Sequence, residues 1–258
     1  MKSAETILLF ILFLFSSCSD FIEYSPFDTN VRSEYLNKDH ILRIVNNNPV
    51  NDTLKFAVFS DVHEDYDAMS DAIRDINSRK DVSFIICNGD ITNGGLAQEF
   101  KWYAGVIPES EIPLVTVIGN HDCLANGLLI FGRMFGSPDT SFVTGKYKFI
   151  LFNNIIWENN NSSPNYEWLR NQVRGGLINI VISHIPPISA DIGSLHRIIY
   201  NGIVDSTNTA FAIHSSAHRY REYRYYGINT IITNTVKKRE YCIIEAYNNE
   251  FNVKRVNF

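Results

Sequence analysis

Between Leu54 and Ile118 the chain alternates short apolar runs with helical periodicity, and that rhythm leaves few folds open to it. Leu54 to Phe59 reads as a buried strand. Met69, Ala72, Ile73 and Ile76 then recur at i, i+3, i+4 and i+7, one face of a helix. Val82 to Cys87 is a second apolar run, Leu96, Phe100 and Tyr103 mark a helix after Gly94 and Gly95, and Leu114 to Ile118 is a third strand. A βαβαβ order predicts a mostly parallel sheet with helices on its faces. The second half continues with a strand at Phe149 to Phe152, a helix at Tyr166 to Val173 and a strand at Leu177 to Ile182. Beyond Ala210 only strands are expected, at Thr230 to Ile232, Tyr241 to Ile244 and Phe251 to Val256. No low-complexity linker parts the halves and no repeat of fixed period occurs. The expectation is one α/β domain over residues 51–258 with two packed sheets, and an apolar content of 45% is ample for its core.

Polar residues punctuate the strands in a particular way. The first strand runs into Ser60-Asp61-Val62-His63, the second into Asn88-Gly89-Asp90, the third into Gly119-Asn120-His121-Asp122. The strand at 177–182 runs into Ser183-His184, and the one near Phe211 into His214 and His218. In an open α/β sheet the carboxyl ends of the strands form the edge where ligands bind. Distant segments therefore converge on one crevice. Their side chains are carboxylates, imidazoles and one amide oxygen, the donor set of a divalent cation. Asp61 and His63, two residues apart, share a side if the backbone is extended. Asp90, with two carboxylate oxygens, can bridge two cations. Glycines at 89 and 119 let the backbone turn sharply. Taken singly, an Asp-x-His is a turn and a Gly-Asp a loop. Five of the seven histidines fall in these segments, and their common position makes chance a poor account of them. His40 and His196 lie outside and read as surface or core residues.

This order of motifs resembles the calcineurin-like metallophosphoesterase superfamily over roughly residues 54 to 225. The resemblance implies a four-layer αββα sandwich of two mixed β-sheets flanked by helices. It implies two divalent metal ions, manganese, iron or zinc, and hydrolysis of a phosphomonoester or phosphodiester by metal-bound hydroxide. One metal would be held by Asp61, His63, Asp90 and His218, the second by Asp90, Asn120, His184 and a further histidine. His121 would be the catalytic residue that stabilises the transition state or protonates the leaving oxygen. One departure stands out. The family closes with Gly-His-x-His, whereas this chain has Ser215-Ser216-Ala217-His218. A serine hydroxyl is a poor replacement for imidazole, so the second metal site is expected to be weak. His214 is the alternative ligand, two residues before Ser216 and on the same face if the strand continues. A membrane-anchored, ligand-binding relative with weak or no activity is the alternative to an enzyme.

The N-terminus carries a different message. Lys2 precedes an apolar run from Ile7 to Phe15, nine residues, where a bilayer span needs ~20. Ser16, Ser17 and Cys18 follow, resembling a bacterial lipobox. Residues 1–17 are then a lipoprotein signal peptide, Cys18 the lipidated residue, and 18–50 a tether with a short helix near Tyr35 to Val45. The expected location is the bacterial cell envelope, lipid-anchored on the extracytoplasmic side of a membrane. Cys87, Cys123 and Cys242 are too widely spaced for a zinc ribbon and predict no disulfide framework. A net charge of −5 argues against broad nucleic-acid binding, though it leaves a local basic stripe open, so the expected partners are a phosphate-ester substrate and the membrane, with the chain a monomer.

Overall fold

The computed structural model describes residues 25–32, 34–47, 53–205 and 207–258. Cys18 and the signal segment lie outside the described residues. Among the described residues, six α-helices and eleven strands follow one another. Helix α1 (Leu36–Asn46) leads into β1 (Thr53–Phe59), α2 (Tyr66–Asn77), β2 (Ile85–Asn88), α3 (Ala97–Val106) and β3 (Leu114–Val117). Then come α4 (Gly127–Met134), β4 (Thr140–Thr144), β5 (Tyr147–Leu151), α5 (Tyr166–Gln172), β6 (Ile178–Ile182) and α6 (Ser194–Val204). The chain ends in β7 (Thr209–His214), β8 (Arg221–Tyr225), β9 (Ile228–Ile232), β10 (Glu240–Tyr247) and β11 (Glu250–Asn257).

Two mixed sheets form, in the orders β11-β10-β1-β2-β3 and β4-β5-β6-β7-β9-β8. Residue alternation along the strands assigns the layers, because successive side chains point to opposite faces. Phe56 and Val58 of β1, Phe149 and Leu151 of β5, and Ile180 and Ile182 of β6 share one core between the sheets. Ala57 and Phe59 of β1 instead join Met69, Ala72, Ile73 and Ile76 of α2 with Phe100 of α3 and Ile130 of α4. Ile150 and Val181 face the other way, onto Leu169 of α5 and Ile203 of α6. The result is the expected αββα sandwich. Burial of the α2 stripe is what its i, i+3, i+4, i+7 spacing called for, and Asp65 caps the helix by accepting from Ala68 N at 3.1 Å.

Helix α1 closes an exposed edge. Strand β3 ends its sheet, and such edges present unpaired backbone groups. Asn37 supplies a substitute strand: its Nδ2 donates to Thr116 O at 2.7 Å and its Oδ1 accepts from Thr116 N at 2.8 Å. His40 Nδ1 accepts from Leu114 N at 3.0 Å, so this histidine is a structural acceptor.

Four elements escaped the sequence reading. Helix α6 leaves Leu195 and Ile198 exposed and so carries no clean apolar stripe. Strand β8, Arg-Glu-Tyr-Arg-Tyr, is a polar edge with no buried residue. Helix α4 is short, and β4 is only half buried.

The parallel strands β1, β2 and β3 end on the side where β6 and β7 also end. Hydrogen bonding continues past them. Asp61 N donates to Gly89 O and His63 N to Asp90 O, each at 3.0 Å, while Ser215 N donates to His184 O at 2.8 Å. A parallel bridge between Ser60 and Thr235 ties the end of β1 to the segment after β9. The ends of both sheets thus meet at one place.

Candidate metal centre

Asp61, His63, Asp90 and His218 gather where the strands end, each with one ligand atom within 4.8 Å of the others'. His218 Nε2 lies 3.1 Å from Asp61 Oδ1 and 3.2 Å from His63 Nε2. Asp90 Oδ2 sits between two rings, 3.4 Å from His63 Nε2 and 3.1 Å from His184 Nε2. Its Oδ1 is occupied, accepting from His121 N at 2.9 Å. A single oxygen, Oδ2, is therefore shared between the His63 and His184 halves, where the sequence suggested a carboxylate using both.

The local backbone differs from the extended chain that was expected. Asp61 and His63 both have left-handed backbones, φ 54° and 42°, as does Asp90 at φ 53°. The side chains of Asp61 and His63 converge through a turn beyond β1, held by the hydrogen bonds to Gly89 and Asp90, and the period-two rule does not apply there. Ordinary residues avoid this region, and such strain gathers at functional sites. Gly119 is required for a steric reason and has no positive φ: a Cβ there would lie 2.2 Å from Asp90 N and Oδ1. Gly89 combines φ +84° with His184 Nδ1 only 2.5 Å from where its Cβ would be.

Each ligand candidate is braced from behind. His184 Nδ1 lies 2.7 Å from Asn88 O, which commits its N–H there and frees the Nε2 lone pair. Ser60 Oγ donates to Asp61 Oδ2 at 2.5 Å and bonds Thr233 Oγ1 at 2.8 Å. Asn120 Nδ2 donates to Glu158 Oε1 at 3.1 Å, leaving Oδ1 buried and unpartnered. Asp122, fully buried, accepts from Thr92 N and Gly119 N, each at 2.9 Å, and so pins two of the loops together. Burial and the neighbouring Asp90 push its carboxyl up to about 7 against those backbone donors. Sequence reasoning missed Glu158, Asp122 and Ser60 as supports. Asp122 at least stood within a motif, whereas nothing near Glu158 signals its role.

Opposite charges hold one another in the site. Burial opposes both ions of the Asp90–His184 pair, yet His184 and the other imidazoles hold Asp90 low, and Asp90 and Asp61 hold His184 high. Burial lowers His63. The Asp61 carboxylate, 3.1 Å from its Nε2, raises His218. Asp61 Oδ1, Asn120 Oδ1 and His184 Nε2 are all buried and make no hydrogen bond. Burying an unpaired lone pair costs about 1–3 kcal/mol. Buried oxygen and imidazole donors on adjoining loops are the ligand types that divalent cations take together.

His214 is placed differently. It ends β7, and the chain then turns through left-handed Ser216 and His218, φ 63° and 49°. The expected shared face of His214, Ser216 and His218 does not form, because the strand stops at the first of them. His214 Nδ1 is within 3.1 Å of both Ser183 Oγ and Ser183 O, and the ring lies outside the four-residue cluster. Its Nε2 is buried without a partner, and burial lowers its pKa to about 4. Ser215 is buried too, accepting from Asn88 Nδ2 at 2.8 Å, whereas Ser216 is partly exposed. His121 stands beside the cluster, its ring edge-on to His63 at 4.6 Å and its Nδ1 2.7 Å from Asn93 O.

The same architecture occurs in solved structures. A dimetal phosphatase from Danio rerio superposes with TM-score 0.61 at 12% identity, over 79% of this chain and 97% of that one. GAP50, the anchor in the inner membrane complex of Plasmodium, gives 0.60 at 15%, over 80% of this chain and 84% of that one. The purple acid phosphatase PPD1 from yellow lupin seeds gives 0.64 at 11%, over 81% of this chain and 53% of the larger lupin chain. No curated protein matches the sequence. The sequence profile of the calcineurin-like phosphoesterases matches residues 54–228, which span every motif of the site, and the chain belongs to that family.

Proposed function

We propose that the protein hydrolyses a phosphomonoester or phosphodiester with two divalent cations. Asp61, His63, Asp90 and His218 would hold one, and Asp90, Asn120 and His184 would hold the other. The observation that carries this reading is the gathering of ligand atoms of Asp61, His63, Asp90 and His218 within 4.8 Å of one another, with His184 Nε2 3.1 Å from Asp90 Oδ2. When bound, such cations lower the pKa of water and offset charge on the phosphoryl oxygens. The protein's own groups do the rest. Asp90 Oδ2, between His63 and His184, sets the spacing of the two halves. Glu158 turns the amide of Asn120, and Asn88 fixes the tautomer of His184. His121, with Nδ1 committed to Asn93 O, presents Nε2 as the atom that passes a proton to the leaving oxygen. Metal analysis of the purified protein, with hydrolysis of an aryl phosphate before and after chelation, tests this. Less than one cation per chain together with chelator-insensitive hydrolysis would refute it.

Two observations favour a second reading, an anchored ligand-binding protein with weak turnover. Ser216 stands where the family has imidazole, and His214 is tied to Ser183. The Plasmodium structural relative is itself described as an anchor. Cys18 carries the lipid in either reading, placing the chain on the extracytoplasmic side of a bacterial membrane. Among the described residues no helix is long and apolar enough to cross a membrane.

A further inference from the structure

A cleft of about 570 Å³ opens beside the metal centre. Its walls come from the two segments that carry site histidines: Pro186 follows His184 by two residues, and Ser216 and Ala217 immediately precede His218. The residue that departs from the family pattern therefore lines this cleft. A serine occupies far less space than an imidazole, so the substitution that weakens a metal site also widens the adjoining space. Pro186, Ile188 and Ile232 offer carbon surface, and Arg219 and Arg221 stand at the wall.

The two arginines are uncommitted in a telling way. Arg219 is exposed and has no hydrogen bond or ion pair among the described residues. Arg221 begins β8, and among the described residues its side chain makes only a stacking contact, its guanidinium 5.1 Å from the centre of the Tyr223 ring. The one carboxylate of the lining, Asp191, is engaged by Ser189 Oγ at 2.8 Å. Guanidinium groups bind phosphate and carboxylate through paired N–H donors, and an unpaired one in a cleft is available for that purpose.

On the footing of the phosphoesterase reading above, we propose that the substrate is a phosphate ester whose alcohol portion carries a second anionic group. The reacting phosphoryl group sits at the metal centre. The alcohol portion lies along Pro186, Ile188 and Ile232 in the room left by Ser216, and its distal anion is met by Arg219 and Arg221.

The test compares adenosine monophosphate with adenosine bisphosphate, which differ by one phosphate. The wild-type protein is expected to favour the bisphosphate in kcat/KM by on the order of tenfold, the value of one charge-assisted contact. Replacing both arginines, Arg219→Gln with Arg221→Gln, should bring the ratio near one, and Arg219→Lys with Arg221→Lys should keep most of it. A wild-type ratio near one, or a preference that survives the double glutamine variant, overturns the inference. Calorimetric binding of the same two nucleotides separates this result from failure of the enzyme reading. If neither nucleotide nor an aryl phosphate is hydrolysed, the enzyme reading falls, and tighter, arginine-dependent binding of the bisphosphate still supports the cleft assignment. Equal binding of the two nucleotides by a non-hydrolysing protein overturns it.

Discussion

On the proposed reading, single residues decide whether this site holds one cation or two. Asp90 Oδ2 lies between His63 and His184, and on our reading the second half lacks the imidazole whose place Ser216 takes. Ser216→His should raise occupancy of the second metal and turnover of an aryl phosphate. Ser215 is best left in place, since its hydroxyl joins Asn88 and Thr233 in a buried network. Unchanged metal content and rate in Ser216→His, with two tight metals already in the wild type, would show that the serine is no defect. His121 presents a contrasting case, because its ring neighbours the ligands while its own hydrogen bond goes to Asn93. His121→Ala is expected to slow hydrolysis on the order of 10²–10⁴-fold, the usual worth of acid–base assistance. Metal content should stay near the wild-type value; loss of a cation would make His121 a ligand.

Among the elements, α1 and the β4–β5 hairpin invite measurement. Asn37 satisfies both backbone groups of Thr116 in a buried setting. Asn37→Ala strands them, and about 1–3 kcal/mol of stability should be lost in denaturant unfolding. A variant as stable as wild type would mean that water or another group replaces the amide. Asp139 lies just before β4 and accepts from Asn153 N, just beyond β5, at 2.8 Å. Burial pushes its carboxyl up to about 6, against the pull of that N–H donor. A folded-state pKa above the unfolded value means that the native state binds more protons within the window between them. Stability from this group therefore falls as pH rises from the ordinary carboxylate range, ~3.9, through about 6. Asp139→Asn keeps the acceptor and removes the charge, so its Tm at neutral pH should exceed that of wild type and vary less across this window. A steeper pH dependence in the variant would reverse the assignment.

At the scale of the whole molecule, the sandwich brings a metal centre, a cleft and, on our reading, a lipid anchor together on one chain. Cys18→Ala is expected to shift the protein from the membrane fraction to the soluble or uncleaved fraction. A single acyl chain holds a protein only marginally, so full retention needs the several chains of lipoprotein processing. A correctly cleaved Cys18→Ala protein still found wholly on membranes would exclude the anchor.

Most of the fold was legible in the sequence because its signals are local. Apolar runs of four to six residues marked β1, β2, β3 and β6, and the spacing of Met69, Ala72, Ile73 and Ile76 marked α2, since burial of one face leaves a period in the chain. The same locality hid β8 and α6, whose residues are largely exposed and leave no period. For the site, Asp61, His63, Asp90, Asn120, His184 and His218 could be named from their place after strands. How they meet could not. The turn at Asp61 and His63, the choice of Oδ2 over Oδ1 in Asp90, and the fate of His214 depend on partners distant along the chain, such as Gly89, His121 and Ser183. Glu158 acquires its role only because a distant loop lies against Asn120. The sequence by itself determined the elements that bury an apolar face and the polar residues that follow their ends. The tertiary structure alone decided which lone pairs are left facing one another, because that follows from steric closure between loops that no local pattern encodes.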